Sequence, residues 1–241
     1  MAVNHPVIGS SPIRGANFLN MLQLMKNLEI FYDIISPYAY LGLELFSRSS
    51  LSNDLNVSLT PVSLGTILNK TENPGPANIA PKRKVALLDF CMQCTLNDVP
   101  ALGPPHHPFN PMPSMRFIHC IEDQELRFKA ALAINKQCWA EGKAVDSEEL
   151  ITECLKSTDF FQDEWEDIYS FTKSNGGRQL LKKATARALE LNVFGVPTFR
   201  YDDVNFWGSD RINLLQEYIK NSEKFKNNNY EKMLNTTPGI L

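Results

Sequence analysis

One stretch constrains this chain more than any other: Leu28-Glu-Ile-Phe-Tyr-Asp-Ile-Ile-Ser-Pro-Tyr-Ala-Tyr-Leu-Gly42. Its first part, Glu29 to Ile35, is an apolar run expected as a buried strand. Ser36 follows, and then a helix whose first residue is Pro37. Proline suits that position because its fixed φ is helical and its missing N–H would have had no partner anyway. Ser36 therefore stands where the helix begins, among unpaired backbone N–H groups and at the positive end of the helix dipole. An anion or a thiolate would be stabilised there. Serine is also a preferred N-cap, and the stretch alone leaves both roles open.

The helix is expected to run to about Ser50, with Tyr40, Leu43 and Phe46 on one face, and Ser52-Asn-Asp to turn the chain into a strand from Val57 to Val62. Strand, helix, strand is the start of a parallel βαβ sheet. From Leu64 to about Gly195 the pattern is helical instead, over Pro81–Leu96, Ser114–Ile121, Glu125–Glu141, Ser147–Leu155, Trp165–Ser174 and Arg178–Leu191. Pro100 to Pro113 holds too many prolines for helix or central strand, so it is expected as an ordered or polyproline-like loop. Strands return at Gly195–Tyr201 and Asn205–Trp207 around an Asp202-Asp203 turn, and a last helix opens at Gly208-Ser-Asp-Arg211 and ends near Lys220. The divisions that follow are an N-terminal extension (1–27), an α/β domain in two pieces (28–64 and 192–222), an inserted all-helical domain (65–191) and a solvated tail (223–241).

Composition narrows the function classes. Apolar content of 43%, charged content of 21% and a formal charge of −3 are ordinary for a soluble globular chain. They give no reason to expect nucleic acid or an anionic membrane as partner. Lys82-Arg83-Lys84 is too short to be a nucleic-acid stripe, and no apolar run approaches membrane-spanning length. The extension contains no acidic residue and only Arg14 and Lys26 as cations, which fits a transit segment or a plain disordered extension, with Met25 as an alternative start. The cysteines, at 91, 94, 120, 138 and 154, are odd in number and follow no secretory signal, so a reducing, cytoplasmic setting is expected. Cys91-Met-Gln-Cys94 has the spacing of a redox pair, but it lies in an apolar helical run with Val85, Leu87, Leu88 and Phe90, where both are expected as core cysteines. His106, His107 and His119 offer no second pair of metal-ligand spacing, so no metal is expected, and the proline-flanked histidines are expected to shape their loop.

A strand–helix–strand half followed by a strand–strand–helix half is the outline of a thioredoxin-like domain. In that fold a proline at position 197 is cis and leaves the backbone N–H and C=O of Val196 facing the start of the first helix. Those groups can pair with the backbone of a bound peptide. From sequence alone Pro197 fits a strand-edge proline equally well. In Trp207-Gly-Ser-Asp-Arg211, Ser209 or Asp210 is a natural N-cap. Alternatively, free N–H groups there bind a carboxylate and Asp210 takes an ammonium. Glutathione carries an α-amino-carboxylate, a peptide bond and a thiol in the order these three places require.

Five blocks make the resemblance specific: Phe31-Tyr-Asp-Ile-Ile-Ser-Pro-Tyr-Ala-Tyr-Leu-Gly42, Asn73-Pro-Gly-Pro-Ala-Asn78, His107-Pro-Phe-Asn-Pro111, Val193-Phe-Gly-Val-Pro-Thr198 and Phe206-Trp-Gly-Ser-Asp-Arg211. Together they resemble the 2-hydroxychromene-2-carboxylate isomerase and kappa-class glutathione transferase family of the DsbA-like thioredoxin superfamily, across residues 28 to about 220. The resemblance implies a thioredoxin-like α/β domain interrupted by a large all-helical domain, in a homodimer, with glutathione as cofactor and a small molecule as substrate. It implies that Ser36 is the catalytic serine donating to the glutathione sulfur, and that Val196 supplies the backbone pair. Asn73 matches a glutathione-contacting asparagine, and Trp207, Gly208, Ser209 and Asp210 match the segment holding the γ-glutamyl end. The family's isomerase meets an acidic substrate with a lysine near Ile67–Lys70. Here Leu68 and Asn69 flank that place, so Asn69 and Asn78 become the expected substrate contacts. Lys82 and Arg83 are candidate carboxylate ligands or simply a solvated charge run. In the isomerase the thiolate adds reversibly to a conjugated system and leaves again, and a transferase stops at the adduct. A thiol–disulfide oxidoreductase and a non-catalytic glutathione-binding protein are the other classes to separate by experiment.

Overall fold

The structure, a computed structural model, describes residues 26–156, 165–226 and 228–236. Among these residues, four strands form one mixed sheet. β1 (Asn27–Tyr32) pairs in parallel with β2 (Asn56–Pro61) and antiparallel with β3 (Thr198–Tyr201). β3 pairs antiparallel with β4 (Val204–Trp207), giving the order β2-β1-β3-β4. β1 is central because consecutive residues on both its faces are apolar, and Ile30, Phe31 and Tyr32 are all fully buried. Ile30 sits between Leu59 of β2 and Phe199 of β3. The expected thioredoxin-like outline is present.

α1 (Pro37–Arg48) and the short α2 (Leu51–Asp54) join β1 to β2. α1 lays Phe46 against Phe199 of the sheet and Phe128 of the helical block, each at 5.9 Å between ring centres. The helical block is α3 (Leu64–Lys70), α4 (Ala80–Leu96), α5 (Met112–Cys120), α6 (Gln124–Asn135, continued by a π-helical turn Lys136–Ala140), α7 (Glu148–Lys156), α8 (Trp165–Lys173) and α9 (Asn175–Glu190). α10 (Ile212–Lys220) and α11 (Asn228–Leu234) follow the last strand. The exposed edge of β2 is capped from α6: the Leu59 N–H donates to the Gln124 side chain (3.0 Å), and Arg127 donates to the Leu59 carbonyl (3.1 Å). These two bonds close the middle of that edge to another strand.

Several boundaries differ from the sequence expectation, for local reasons. The first strand ends at Tyr32 rather than Ile35, because Asp33 leaves the ladder and takes the Ile35 and Leu64 N–H groups with its carboxylate. α3 was not expected as a helix; Ser63 caps it by accepting from Thr66 N. α9 starts at Asn175 and includes Gly176-Gly177, which disfavour helix by propensity. Gly177 is required there, since a Cβ would stand 2.4 Å from the Phe171 carbonyl oxygen. The C-terminal segment is not featureless: it forms a 3₁₀ turn, Ser222–Phe225, and α11, both at the surface. The N-terminal extension up to residue 25 lies outside the described residues. Among those described, no helix is long and apolar enough to cross a membrane.

Candidate active site

The site begins where β1 stops. Asp33 is fully buried, and its carboxylate accepts from Ile35 N (3.1 Å) and Leu64 N (2.8 Å). Burial outweighs those two bonds and pushes its pKa up to about 7. The Ser36 N–H donates to the Asp33 carbonyl (3.1 Å), which closes the turn and sets Ser36 as N-cap of α1 with Pro37 at the first helical position. The Ser36 hydroxyl oxygen accepts from Ala39 N (3.3 Å) and the hydroxyl donates to the Val196 carbonyl (3.3 Å). The Val196–Pro197 peptide is cis. Sequence-distant halves of the sheet domain thus meet at one serine, as expected. The Val196 carbonyl, however, already has a partner in Ser36.

Tyr38 follows two residues later, in the first turn of α1. Its phenol is 2.6 Å from the Asp89 carboxylate, to which it donates, and 3.0 Å from the Ala86 carbonyl. Burial first, then the bond to Asp89, hold the phenol well above its usual pKa, so it stays protonated. A cavity of about 290 Å³ opens beside Ser36 and Tyr38. Leu64 and Leu68 of α3, the Pro74–Asn78 turn, Ala86 and Leu87 of α4, and His107 wall it, and its surface is largely apolar. Arg83 is the one cation among its lining residues, and its side chain has no partner among the described residues. His107 holds its ring Nε2 3.0 Å from the Ile35 carbonyl.

The expected site residues divide into groups. Ser36 and Asn78 line the cavity, and Val196 touches it through Ser36; the Asn78 side chain also donates to the Pro74 carbonyl (2.7 Å). Asn73 is exposed and accepts from Gly75 N (2.9 Å), shaping the turn rather than the wall. Asn69 is exposed on α3 and does not line the cavity. Trp207 is 51% exposed, packs edge-on against Phe194 at 4.7 Å, and lies outside the cavity. Neither Ser209 nor Asp210 caps the last helix: Gly208 (φ +113°) opens a 3₁₀ turn, Ser209–Arg211, with no side-chain cap, because positive φ there suits glycine. Gly208 N donates to the Pro197 carbonyl (2.9 Å), so this turn is tied to the Val196–Pro197 loop. Ser209 is buried, whereas Asp210 is at the surface, paired with Arg211 at 2.6 Å, and its charge reaches Tyr38.

Asp33, Tyr38 and His107 were not singled out from sequence as site residues. An acid inside the run Ile30–Ile35 was the one available signal for Asp33. The expectation of two core cysteines in α4 is half corrected: Cys94 is buried, with its thiol pushed up to about 12 by burial, but Cys91 is exposed. Phe90 and Cys94 stand four residues apart on the core-facing stripe of α4, and Cys91 falls just outside that stripe. Position 39, one turn after Ser36 and fully buried, is alanine, so the helix start holds no redox pair. Among the described residues no cluster of His, Cys, Asp and Glu could hold a metal ion.

Comparison with known proteins supports the same outline. The family described as DSBA-like thioredoxin domain matches residues 27–220. A 2-hydroxychromene-2-carboxylate isomerase of Sphingobium xenophagum is 24% identical over 198 residues, covering 81% of this chain and 99% of that protein. Glutathione S-transferase kappa 1 of Caenorhabditis elegans is 21% identical over 209 residues, covering 81% and 92%. Among solved structures, that of a 2-hydroxychromene-2-carboxylate isomerase superposes with a TM-score of 0.71 at 21% identity, covering 83% of this chain and all of that one.

Proposed function

The chain belongs to the DSBA-like thioredoxin domain family, and from that premise we propose that it is a glutathione-dependent isomerase of the 2-hydroxychromene-2-carboxylate isomerase type. The observation that carries the reading is Ser36: a hydroxyl at a helix N-terminus, facing the Val196 carbonyl, with alanine where a second cysteine would stand. Such a site stabilises a thiolate without being able to exchange a disulfide. The chain fits glutathione at two points: Val196 offers its backbone to a peptide, and the α1 N-terminus favours negative charge. Bound there, glutathione would supply a thiolate that adds to a conjugated substrate and leaves it again.

The protein's own part is electrostatic and positional. Ser36 gives up its bond to Val196 and turns its hydrogen to the sulfur, so the carbonyl is freed for the ligand's N–H in the same movement. A thiol of pKa ~8.5 is only a few per cent ionised at neutral pH, and one charge-assisted hydrogen bond plus the helix terminus lowers that value. Tyr38, kept protonated by its surroundings, is a donor and not a base. The apolar walls from Leu64, Leu68 and Leu87 suit a flat, conjugated body, Asn78 adds a polar contact, and Arg83 is placed to meet an acid group. Asn73, Trp207, Gly208, Ser209 and Asp210 do not line the cavity and would serve the part of glutathione that extends beyond it, and Asn69 would need to turn inward to reach a substrate. Residues 28–64 with 192–222 form the glutathione half in this proposal, and 65–191 the substrate half. A homodimer and a reducing, cytoplasmic setting belong to the same reading.

The test is one parallel set of assays on purified protein with glutathione: isomerisation of 2-hydroxychromene-2-carboxylate, conjugation of 1-chloro-2,4-dinitrobenzene, and reduction of a disulfide. Isomerisation is expected to dominate, with no disulfide reduction; conjugation alone would favour the kappa-type transferase. Ser36→Ala is expected to lose about 10- to 100-fold in kcat/KM at neutral pH, the order of the lost thiolate fraction. Cys91→Ser is expected to keep full activity. Unchanged activity in Ser36→Ala would overturn the mechanism.

A further inference from the structure

We propose that His107 is a positioning residue for Ser36, holding the peptide unit that leads into it. The Ile35–Ser36 peptide lies in neither a strand nor a helix, so no ladder fixes its plane. Its N–H end donates to the Asp33 carbonyl (3.1 Å) and its oxygen faces His107 Nε2 (3.0 Å). A carbonyl oxygen only accepts, so Nε2 carries the ring proton and Nδ1 is the bare nitrogen. Nδ1 is buried with no partner, so a second ring proton would have nothing to donate to. The ring is packed between two others: Trp139 meets it at 5.6 Å and Phe109 at 6.4 Å, both edge-on.

Trp139 extends the same device. Its indole N–H donates to the Ile34 carbonyl (2.8 Å), one residue earlier. Two successive carbonyls of the β1–α1 turn are thus held by two side chains of the helical block that touch each other. Ser36 must present one hydroxyl in one direction, and its backbone is fixed on the side of the chain that lacks regular structure. His107 also lines the cavity beside Ser36, so the clamp is part of the wall. Its catalytic consequence rests on the role proposed above for Ser36; its structural half does not.

The test compares wild type with His107→Phe, which keeps the ring and removes the donor, and His107→Gln, whose amide can restore it. Hydrogen exchange of the 34–40 segment is measured without glutathione, and the thiolate absorbance of bound glutathione is titrated with pH. His107→Phe is expected to speed exchange about fivefold to tenfold, the worth of one such bond. It is also expected to raise the bound thiol's pKa toward 8.5 and lower kcat with little change in KM for the second substrate. His107→Gln is expected to return all three toward wild type. Unchanged exchange in His107→Phe overturns the proposal whatever glutathione does. Faster exchange in a protein that binds no glutathione keeps the clamp and sinks the proposed function instead. Should His107→Phe not fold, nitrogen NMR of the wild type decides: a ring protonated at Nδ1 instead of Nε2 overturns the proposal.

Discussion

At the scale of single residues, Asp33 has the clearest thermodynamic signature. Its pKa rises from 3.8 to about 7 on folding because burial disfavours the charge more than two N–H donors favour it. The folded protein therefore keeps this proton over a range where the unfolded chain has lost it. The contribution of protonated Asp33 is complete below about pH 4 and is lost as the pH rises to about 7. Its ceiling is on the order of 4 kcal/mol. The melting temperature is expected to fall between pH 5 and pH 8, and Asp33→Asn to flatten that slope in a calorimetric pH series. The amide offers only one acceptor oxygen, so the variant gives up one of the two backbone bonds at every pH. A slope that survives in Asp33→Asn would assign the pH dependence to other groups.

At the scale of elements, the site depends on how closely α1 approaches the Pro197 loop. A Cβ on Gly42 would stand 2.8 Å from Pro197 Cγ. Helix propensity alone would make Gly42→Ala stabilising by up to ~1 kcal/mol. Contact reverses the sign: the variant is expected to lose roughly 1–3 kcal/mol in urea unfolding. It is also expected to raise KM for glutathione with kcat nearly kept, since Pro197 carries Val196 away from Ser36. Gly42 stood in plain view in the sequence, as did the strand, Ser36, Pro37 and the order of the elements, because periodicity and helix-start chemistry are local. Asp33, Tyr38 and His107 were not legible as site residues. Tyr38 depends on Asp89, and His107 on a carbonyl 72 positions away, contacts that exist only after the chain folds back. The Gly176-Gly177 start of α9 escaped for a different reason: glycine propensity argues against helix, and the close backbone of Phe171 and Thr172 that requires Gly177 is visible only in the structure.

For the whole molecule, the outer face of α4 is unfinished. Val85, Leu88, Met92 and Leu96 recur at helical spacing and are between 56% and 77% exposed, while Phe90 and Cys94 fill the core side. A stripe of that kind marks an interaction face. The homodimer proposed above would use it, with the cavity wall at Ala86 and Leu87 on the same helix. Wild type is expected to sediment as a dimer and the double variant Leu88→Glu with Met92→Glu as a folded monomer with a raised KM for the second substrate. A monomeric wild type would remove the dimer from the proposal. One last consequence comes from the Ser36–Val196 bond, which joins positions 160 residues apart. During synthesis the serine emerges early and its carbonyl partner late, with the whole helical block between them. The centre proposed to activate the thiol is therefore assembled only when the chain beyond the helical block has been made and closes onto Ser36, and a truncated product ending before β3 is expected to carry the serine but no activity.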